Sequence, residues 1–287
     1  MNRTIEIGGL AISLPAEKVI FDQTLRPFFS RKKTFLTVTV RSAEVPPAVS
    51  YGRYRCDGAF AVLKRDDGYL VEFEGGFVHS LKALLVDRSL RKATLFLKNP
   101  KKPVLFFQEF PWPFLLVYFL LARGLGIFVH ACGIRYRGKG YLFVGPQGAG
   151  KSTLARLLSG ENGFDILSDE CIVVRKEGRK KTIFGTPWHS KFPSVSNQKA
   201  PLRAVFFLCH GKKNTVSRLS LSESVRRFLP EAWPRAWDPE GIPFIMRSSL
   251  DLCAEVPCYE LAFVPTEEIS LFVGDFVRGA SKEKELS

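Results

Sequence analysis

The stretch Tyr141-Leu-Phe-Val-Gly145-Pro-Gln-Gly-Ala-Gly150-Lys151-Ser152-Thr153 decides the fold of this chain. It predicts a short apolar strand, a glycine-rich loop, and a helix that continues as Leu-Ala-Arg-Leu-Leu158. Because glycine lacks a Cβ, such a loop can curl until successive backbone N–H groups point inward at phosphate oxygens. The positive end of the helix dipole lies behind them. The stretch therefore predicts a phosphate-binding loop for a nucleotide.

Each position of this loop has a predicted part in binding Mg·ATP. Lys151 can reach the β- and γ-phosphates, and the hydroxyl of Ser152 can bind Mg²⁺. The alternative, a chance glycine-rich turn between a strand and a helix, leaves the fixed Gly-x-x-x-x-Gly-Lys-Ser positions unexplained. The residues predicted to contact the nucleotide are Gly145, Pro146, Gln147, Gly148, Ala149, Gly150, Lys151, Ser152 and Thr153.

Length and charge set the first limits on function. The chain has 287 residues, 46% of them hydrophobic, which is enough for two domains with their own cores. Its net charge is +14, but residues 1–112 hold 18 Lys/Arg against 11 Asp/Glu and the rest hold 24 against 17, so no basic arm stands out. We therefore expect no nucleic-acid partner; attraction of an acidic macromolecule is the alternative.

Cysteine usage and hydropathy favour a cytoplasmic protein. The six cysteines stand singly, without a Cys-x-x-Cys pair, which is typical of reduced buried thiols and not of a zinc site. The N-terminus has no apolar signal-peptide segment. The longest apolar run, residues 111–122, falls short of the roughly 20 residues that a membrane span requires. We expect this run to form a helix buried between the two domains.

The fold class predicted from these patterns is α/β, with a mainly β N-terminal domain over residues 1–110. Asp67-Gly68 is a hairpin turn signal, and residues 80–90 look like a short helix in an otherwise antiparallel β domain. Pro111 and Pro113 open the apolar helix and so place the boundary. The apolar runs are Ile5–Leu14, Phe35–Val40, Ala59–Leu63, Tyr69–Phe73, Ala93–Leu97 and Val104–Phe107.

Residues 111–280 alternate between strand and helix and form the predicted catalytic domain. Ser220-Leu-Ser-Glu223 is a capping box that predicts a helix up to Leu229. Residues 281–287 are polar and are expected to form a disordered tail. The apolar segments that close the domain or form its strands are Ile127–Tyr136, Tyr141–Val144, Asp165–Val174, Leu202–Leu208, Tyr259–Val264 and Ile269–Val273.

A hairpin places His130 next to the glycine-rich loop. If Arg137–Gly140 is the turn and Tyr136 faces Tyr141, then Cys132 faces Gly145 and His130 faces Gln147. A turn longer by one residue would put His130 on the other face of the sheet. A lone histidine in an apolar strand is usually a core residue, but this placement favours a functional role.

Two acidic residues follow the apolar part of a later strand. Asp169 and Glu170 stand 18 and 19 residues after Lys151. Phosphoryl transfer needs a carboxylate near Mg²⁺ and a group that accepts the proton of the nucleophile. Since adjacent strand residues point to opposite faces, one acid should face the site more directly. The alternative is a pair of solvated acids at a strand end.

Together these residues resemble a known family. His130, the glycine-rich loop 15 residues later and the Asp169-Glu170 pair are similar to the catalytic domain of HPr kinase/phosphorylase and its kinase-like relatives, some of which tailor ribosomally made peptides. The resemblance covers residues 125–275. It implies a P-loop domain of the HPr kinase/phosphoenolpyruvate carboxykinase type. The further similar segments are Phe184-Gly-Thr-Pro-Trp-His-Ser190, Ala200–Leu208 and Cys258–Pro265.

Roles for the site residues follow from this resemblance. It implies that Asp169 is the general base, that Glu170, with Asp169 and Ser152, holds Mg²⁺, and that His130 steadies the phosphoryl group or the base. The chain departs from the family in having Asp-Glu for Asp-Asp and Ala131-Cys132 after the histidine. It also lacks the region associated with phosphorylase activity, so the resemblance does not extend to the reverse reaction or to HPr as the substrate.

The sequence therefore predicts an ATP- and Mg²⁺-dependent kinase, with Asp169, His130 and Lys151 as catalytic residues. The expected acceptor is a serine hydroxyl on a peptide or small protein. A nucleotide-binding regulatory or scaffold protein and a small-molecule kinase are the alternatives. Residues 185–189 are either a tight turn with Trp188 in the core or a loop that covers the phosphates. Catalytic relatives form hexamers, which leaves a homo-oligomer open, although residues 1–110 do not match their N-terminal domain.

Overall fold

The computed structural model describes residues 1–47, 52–56, 59–74, 78–107, 111–159, 163–190, 192 and 194–282. This part of the chain is a mixed α/β structure with several sheets, in which strands predominate. It divides into two units. Met1–Leu125 and Pro234–Phe244 form the first, and Gly126–Trp233 and Ile245–Ser287 form the second. The division differs from the predicted boundary at 110/111.

The first unit is built on an eight-stranded sheet among its described residues, ordered β1-β2-β4-β9-β8-β7-β6-β5. A short parallel pair, β3 and β10, and a 3₁₀ turn at Gln23–Phe28 complete it. The strands are β1 Asn2–Ile7, β2 Leu10–Pro15, β3 Val19–Ile20, β4 Leu36–Arg41, β5 Gly52–Cys56, β6 Phe60–Arg65, β7 Gly68–Phe73, β8 Leu81–Asp87, β9 Lys92–Leu97 and β10 Val104–Leu105.

Two expectations for this sheet were wrong. The predicted helix at residues 80–90 is strand β8, which pairs with β7 on one side and β9 on the other. Pairing on both sides overrides the local helix preference of Leu-Lys-Ala-Leu-Leu. The sheet is also not wholly antiparallel, because β2–β4 and β4–β9 run parallel. The long connection through β3 and the 3₁₀ turn returns the chain in the same direction.

The apolar run after Pro111 forms helix α1, Trp112–Leu120, as predicted, and all nine of its residues are buried. A helix that is apolar on every side belongs in a core. No helix of the described chain is long and apolar enough to cross a membrane. The π-helical turn Leu121–Leu125 follows α1, and its Arg123, which is partly buried, forms a bidentate ion pair with the buried Asp238. This pair ties residues 234–244 to the first unit.

The second unit carries the glycine-rich stretch. Its mixed sheet contains the order β11-β15-β16-β17-β13-β12-β14, and β19 joins it beside β17. The strands are β11 Ile127–Val129, β12 Ala131–Tyr136, β13 Lys139–Val144, β14 Phe164–Ser168, β15 Ile172–Glu177, β16 Lys180–Phe184, β17 Lys199–His210, β18 Thr215–Arg218 and β19 Cys258–Phe263. The helices are α2 Lys151–Leu158, α3 Leu221–Phe228, α4 Ile242–Glu255 and α5 Glu268–Lys282, of which α4 begins within the first unit.

Helices α2 and α5 cover a buried apolar cluster beneath this sheet. Its members include Phe143 of β13, Phe206 of β17 and Leu154 of α2. The predicted cap of α3 is confirmed, since Ser220 Oγ accepts from the backbone N–H of Glu223. The segment at 269–273 is the start of α5, which extends to Lys282. Of the predicted tail, residues 283–287 lie outside the described residues.

Three strands of this sheet run parallel and end on the same side. Strand β13 pairs in parallel with β17, and β17 pairs in parallel with β19. The carboxyl ends of neighbouring parallel strands form one edge, which is where ligands bind in open α/β sheets. Residues 145–150, which we call the glycine loop, follow β13 at this edge and lead directly into α2.

Candidate functional site

The glycine loop adopts a conformation that only glycine accommodates at two positions. Gly148 has a φ of +87° and Gly150 a φ of +98°. A Cβ on Gly150 would lie 2.7 Å from Cζ of Phe263, the last residue of β19. His210, the last residue of β17, contacts the loop from the next strand end, with Nε2 3.2 Å from the carbonyl oxygen of Gly148. The ends of β17 and β19 therefore support the loop.

Lys151 lies in the floor of the site at the first turn of α2. Lys151 is buried, and its Nζ donates hydrogen bonds to the carbonyl oxygens of Gly145 at 2.5 Å and Pro146 at 3.1 Å. Burial lowers the pKa of this ammonium, and the negative charges of Glu231 and Glu170 partly offset the shift. The carbonyl oxygens of the loop thus hold the Lys151 ammonium at the glycine loop, where it can contact an anionic ligand.

The predicted hairpin register was wrong by two residues. The turn consists of Arg137 and Gly138, with φ values of 48° and 73°, and Tyr136 pairs with Lys139. Positive φ at both turn residues is the geometry that fits the strand twist in a two-residue hairpin. Because the shift is an even number of residues, every side chain keeps its predicted face. Cys132 therefore faces Phe143 instead of Gly145.

His130 lies in a break between two strands, not within one. The predicted strand 127–136 divides into β11 and β12 at this residue, and the predicted strand 165–174 divides into β14 and β15 at residues 169–171. Strand β11 pairs with β15, and β12 pairs with β14. The two breaks therefore face each other across the sheet, which brings His130 to the Asp169-Glu170 pair.

Glu231, which the sequence interpretation missed, fixes the orientation of the His130 ring. The Nδ1 atom lies 2.9 Å from Glu231 Oε2, and the backbone N–H of His130 donates to the Glu231 carbonyl at 2.8 Å. Since a carboxylate accepts hydrogen bonds, Nδ1 carries the hydrogen and Nε2 points away. Nε2 lies 3.9 Å from Glu170 Oε1. Trp233 stacks on the ring at 5.6 Å.

No local signal in the sequence marks Glu231, which belongs to the 3₁₀ turn Leu229–Ala232 after α3. Trp233, two residues later, has a φ of 52°. A left-handed conformation is unusual for so bulky a residue and tends to mark functional sites. The turn thus supplies both a carboxylate and an aromatic face to His130.

Asp169 and Glu170 have different surroundings in the turn between β14 and β15. Asp169 is fully buried, and its two carboxylate oxygens accept from the backbone N–H groups of Ser190 at 2.8 Å and Phe192 at 3.3 Å. Glu170 is 38% exposed and faces the cleft. The turn is shaped by Ser168, whose buried hydroxyl accepts from the backbone N–H of Glu170 at 3.1 Å. Asp169 is therefore held in a fixed position by the backbone, and Glu170 is the more exposed of the two acids.

The segment 185–190 lies across from the glycine loop. Trp188 packs edge-on against Phe128, which matches the interpretation of a tight turn with its tryptophan in the core. Ser190, two residues after Trp188, lines the cleft, and its hydroxyl lies 3.5 Å from that of Ser152. No role was predicted for Ser190, although it is the last residue of the segment 184–190 that resembles the family.

These elements enclose one cleft of about 610 Å³. Of the residues predicted for the site, Gly145, Pro146 and Ala149 belong to the loop without lining the cleft. The cleft lining brings together residues from four separate parts of the second unit. They are His130, Gln147, Gly148, Gly150, Lys151, Ser152, Thr153, Asp169, Glu170 and Ser190.

The oxygen donors that line the cleft fit a Mg²⁺ ion that arrives with a nucleotide. Within the described ranges no group of three or more His, Cys, Asp and Glu side chains is arranged to hold a metal ion. Magnesium bound to a nucleotide needs only one or two carboxylates or hydroxyls, because phosphate oxygens and water fill the remaining positions. Ser152 and Glu170 line the same cleft and are oxygen donors of that kind.

Comparison with known proteins gives a distant structural relation. No protein-family model matches the chain, and no curated protein matches it either. Among solved structures, the chain is similar to the Hpr(Ser) kinase/phosphatase from Coxiella burnetii. The identity is 15%, and the match covers 55% of this chain and 98% of that chain, with a TM-score of 0.33. At this score the similarity carries no argument about fold or activity.

Proposed function

We propose that this protein is a Mg·ATP-dependent kinase that transfers the γ-phosphoryl group to a hydroxyl, with serine of a peptide or small protein as the acceptor. The observation that carries the proposal is the single cleft in which the glycine loop and Lys151 meet His130, Asp169 and Glu170. The second unit is then a P-loop domain of the HPr kinase/phosphoenolpyruvate carboxykinase type, as the sequence motifs suggest.

The chemistry assigns a part to each group. The loop N–H groups and Lys151 bind the phosphates, and Ser152 and Glu170 hold Mg²⁺, whose charge offsets that of the β- and γ-phosphates. The acceptor oxygen forms a bond to the γ-phosphorus, and the bond from that phosphorus to the β–γ bridging oxygen breaks. ADP leaves with the electron pair of that bond. The hydroxyl proton passes to a base in the cleft.

Asp169 is the proposed base. Each carboxylate oxygen has two lone pairs, and the backbone N–H groups of Ser190 and Phe192 use one on each, so capacity remains for a proton donor in the cleft. His130, held by Glu231, lies beside the same reacting region and steadies the transferring group. A carboxylate base beside a histidine suits transfer to a hydroxyl acceptor. Hydrolytic phosphate-loop enzymes instead position the attacking water, for example with a Gln.

The test is transfer from γ-labelled ATP to a lysate fraction and to candidate serine peptides. Label on serine of a defined acceptor, lost in Asp169→Asn with ATP affinity retained, is the expected result. Glu170→Gln should instead raise the Mg²⁺ requirement. Rapid release of free phosphate whatever acceptor is present would identify an ATPase. Tight nucleotide binding with no transfer or hydrolysis would identify a regulatory protein, and label on a metabolite alone would identify a small-molecule kinase.

A further inference from the structure

We propose that the hydroxyl of Ser190 is a second protein ligand of the nucleotide-bound Mg²⁺, beside the hydroxyl of Ser152. This inference rests on the proposed function, since the metal arrives with the nucleotide. It assigns a purpose to the segment 185–190, which follows strand β16 and lies across the cleft from α2.

The spacing of the two hydroxyls fits one octahedral ion. Ligands at about 2.1 Å from Mg²⁺ in adjacent octahedral positions lie about 3.0 Å from each other. The oxygens of Ser152 and Ser190 are 3.5 Å apart. A closure of about half an ångström brings both onto one ion, which is within ordinary side-chain adjustment. Glu170 lines the same cleft and can add a carboxylate oxygen.

The segment that carries Ser190 is held in place from several sides. The backbone N–H of Gly185 donates to the Gln198 carbonyl at 2.9 Å, and a Cβ on Gly185 would lie 1.8 Å from the carbonyl oxygen of Ser196. The hydroxyl of Ser168 donates to the Trp188 carbonyl at 2.6 Å. Such anchoring keeps the Ser190 hydroxyl in position before a metal arrives, which reduces the entropy cost of binding.

Asp169 connects this segment to the acid pair. Its buried carboxylate accepts from the Ser190 backbone N–H at 2.8 Å, so Ser190 is positioned by the residue that precedes Glu170. A buried carboxylate bonded to the backbone of Ser190 also makes the electrostatic potential near this residue more negative, which favours a cation. Asp169 thereby acts on the metal through Ser190, in addition to any direct or water-mediated contact.

The experiment measures binding of the non-hydrolysable analogue AMP-PNP by calorimetry, with Mg²⁺ varied and with Mg²⁺ removed by EDTA. Ser190→Ala should raise the Mg²⁺ concentration for half-maximal binding by about 10-fold, the lower end of losses for groups that tune a metal site. Its affinity for AMP-PNP without metal should equal that of the unaltered chain. Ser196→Ala is the matched control, because its hydroxyl accepts from the Gln198 N–H and Ser196 is not among the described residues that line the cleft.

Ser190→Cys separates ligation from a structural role. A thiolate binds Mg²⁺ poorly and binds soft cations well. Ser190→Cys should therefore lose Mg²⁺-dependent binding of AMP-PNP. Cd²⁺ should restore this binding in Ser190→Cys to a greater extent than in Ser190→Ala. An unchanged Mg²⁺ requirement in Ser190→Ala would overturn the inference. Loss of binding that Cd²⁺ does not restore in Ser190→Cys would also overturn it. If the unaltered chain binds no AMP-PNP at all, the proposed function and this inference both fail. If only the inference fails, the unaltered chain still binds AMP-PNP.

Discussion

Replacing Lys151 with Ala should weaken ATP binding by about 100-fold. Two opposite unit charges 3 Å apart at an effective dielectric constant of about 20 attract each other by about 5.5 kcal/mol. In the free protein the ammonium already donates to the carbonyls of Gly145 and Pro146. With three N–H donors it gives up one of these bonds to reach a phosphate, and one such charged hydrogen bond contributes about 1.5–3 kcal/mol. The difference, about 3 kcal/mol, corresponds to about two decades of affinity.

Calorimetry with ATP and excess Mg²⁺ measures this loss. Lys180→Ala removes an exposed lysine from β16 and is the charge-matched control, whose affinity should stay within about twofold because surface charges are screened. Equal ATP affinity in Lys151→Ala and in the unaltered chain would refute the assignment of the phosphate site.

The same residue makes a prediction about stability. Burial lowers the pKa of Lys151, so the unfolded chain binds more protons than the folded chain between the folded value and the ordinary lysine value. Stability of the free protein should therefore rise with pH through that window. Lys151→Met keeps most of the side-chain volume and removes the charge. It should unfold at the same or a higher temperature at neutral pH, and its advantage should shrink as the pH approaches about 10.

Three further substitutions test the framework of the site and of the first unit. Gly150→Ala combines a φ of +98° with a contact to Phe263 and should lower the free energy of unfolding by about 1–3 kcal/mol, as measured by urea titration. Asp238→Ala removes the bidentate partner of Arg123 and leaves it the longer carboxylate contact with Glu240 at 3.8 Å, so it should cost about 1.5–3 kcal/mol by the same assay. Glu231→Gln removes the anionic partner of His130 Nδ1 and should slow transfer by about 10–100-fold while ATP affinity changes little.

Two of these substitutions have a control variant, and the third has a second readout. Gly148→Ala meets a positive φ without a close neighbour, so its stability loss should be the smaller one. Asp275→Ala breaks a pair whose carboxylate is 76% exposed and should cost less than about 1 kcal/mol. Equal losses in Gly150→Ala and Gly148→Ala would contradict the role given to packing. Equal losses in Asp238→Ala and Asp275→Ala would contradict the role given to burial. For Glu231→Gln, a parallel fall in ATP affinity would point to collapse of the cleft, not to His130.

Local patterns in the sequence were sufficient for the elements around the glycine loop. Strand β13, the glycine loop and α2 follow one another without interruption, so spacing and glycine positions specify them. The same holds for α1 and for the cap of α3 at Ser220. Strand β8 shows the limit, because the sequence Leu-Lys-Ala-Leu-Leu suits a helix and only its two neighbours in the sheet make it a strand.

The sequence by itself predicted a set of residues that the structure brings to one cleft: Lys151, Ser152, Asp169 and Glu170, with His130 as a neighbour. Only the tertiary structure decided that Glu231 orients His130, and that Ser190 lies opposite Ser152. It also decided that residues 234–244 belong with the first unit. The reason is physical. These contacts join residues from about 40 to about 115 positions apart, and they form because strand pairing and burial bring the segments together, which no local spacing encodes.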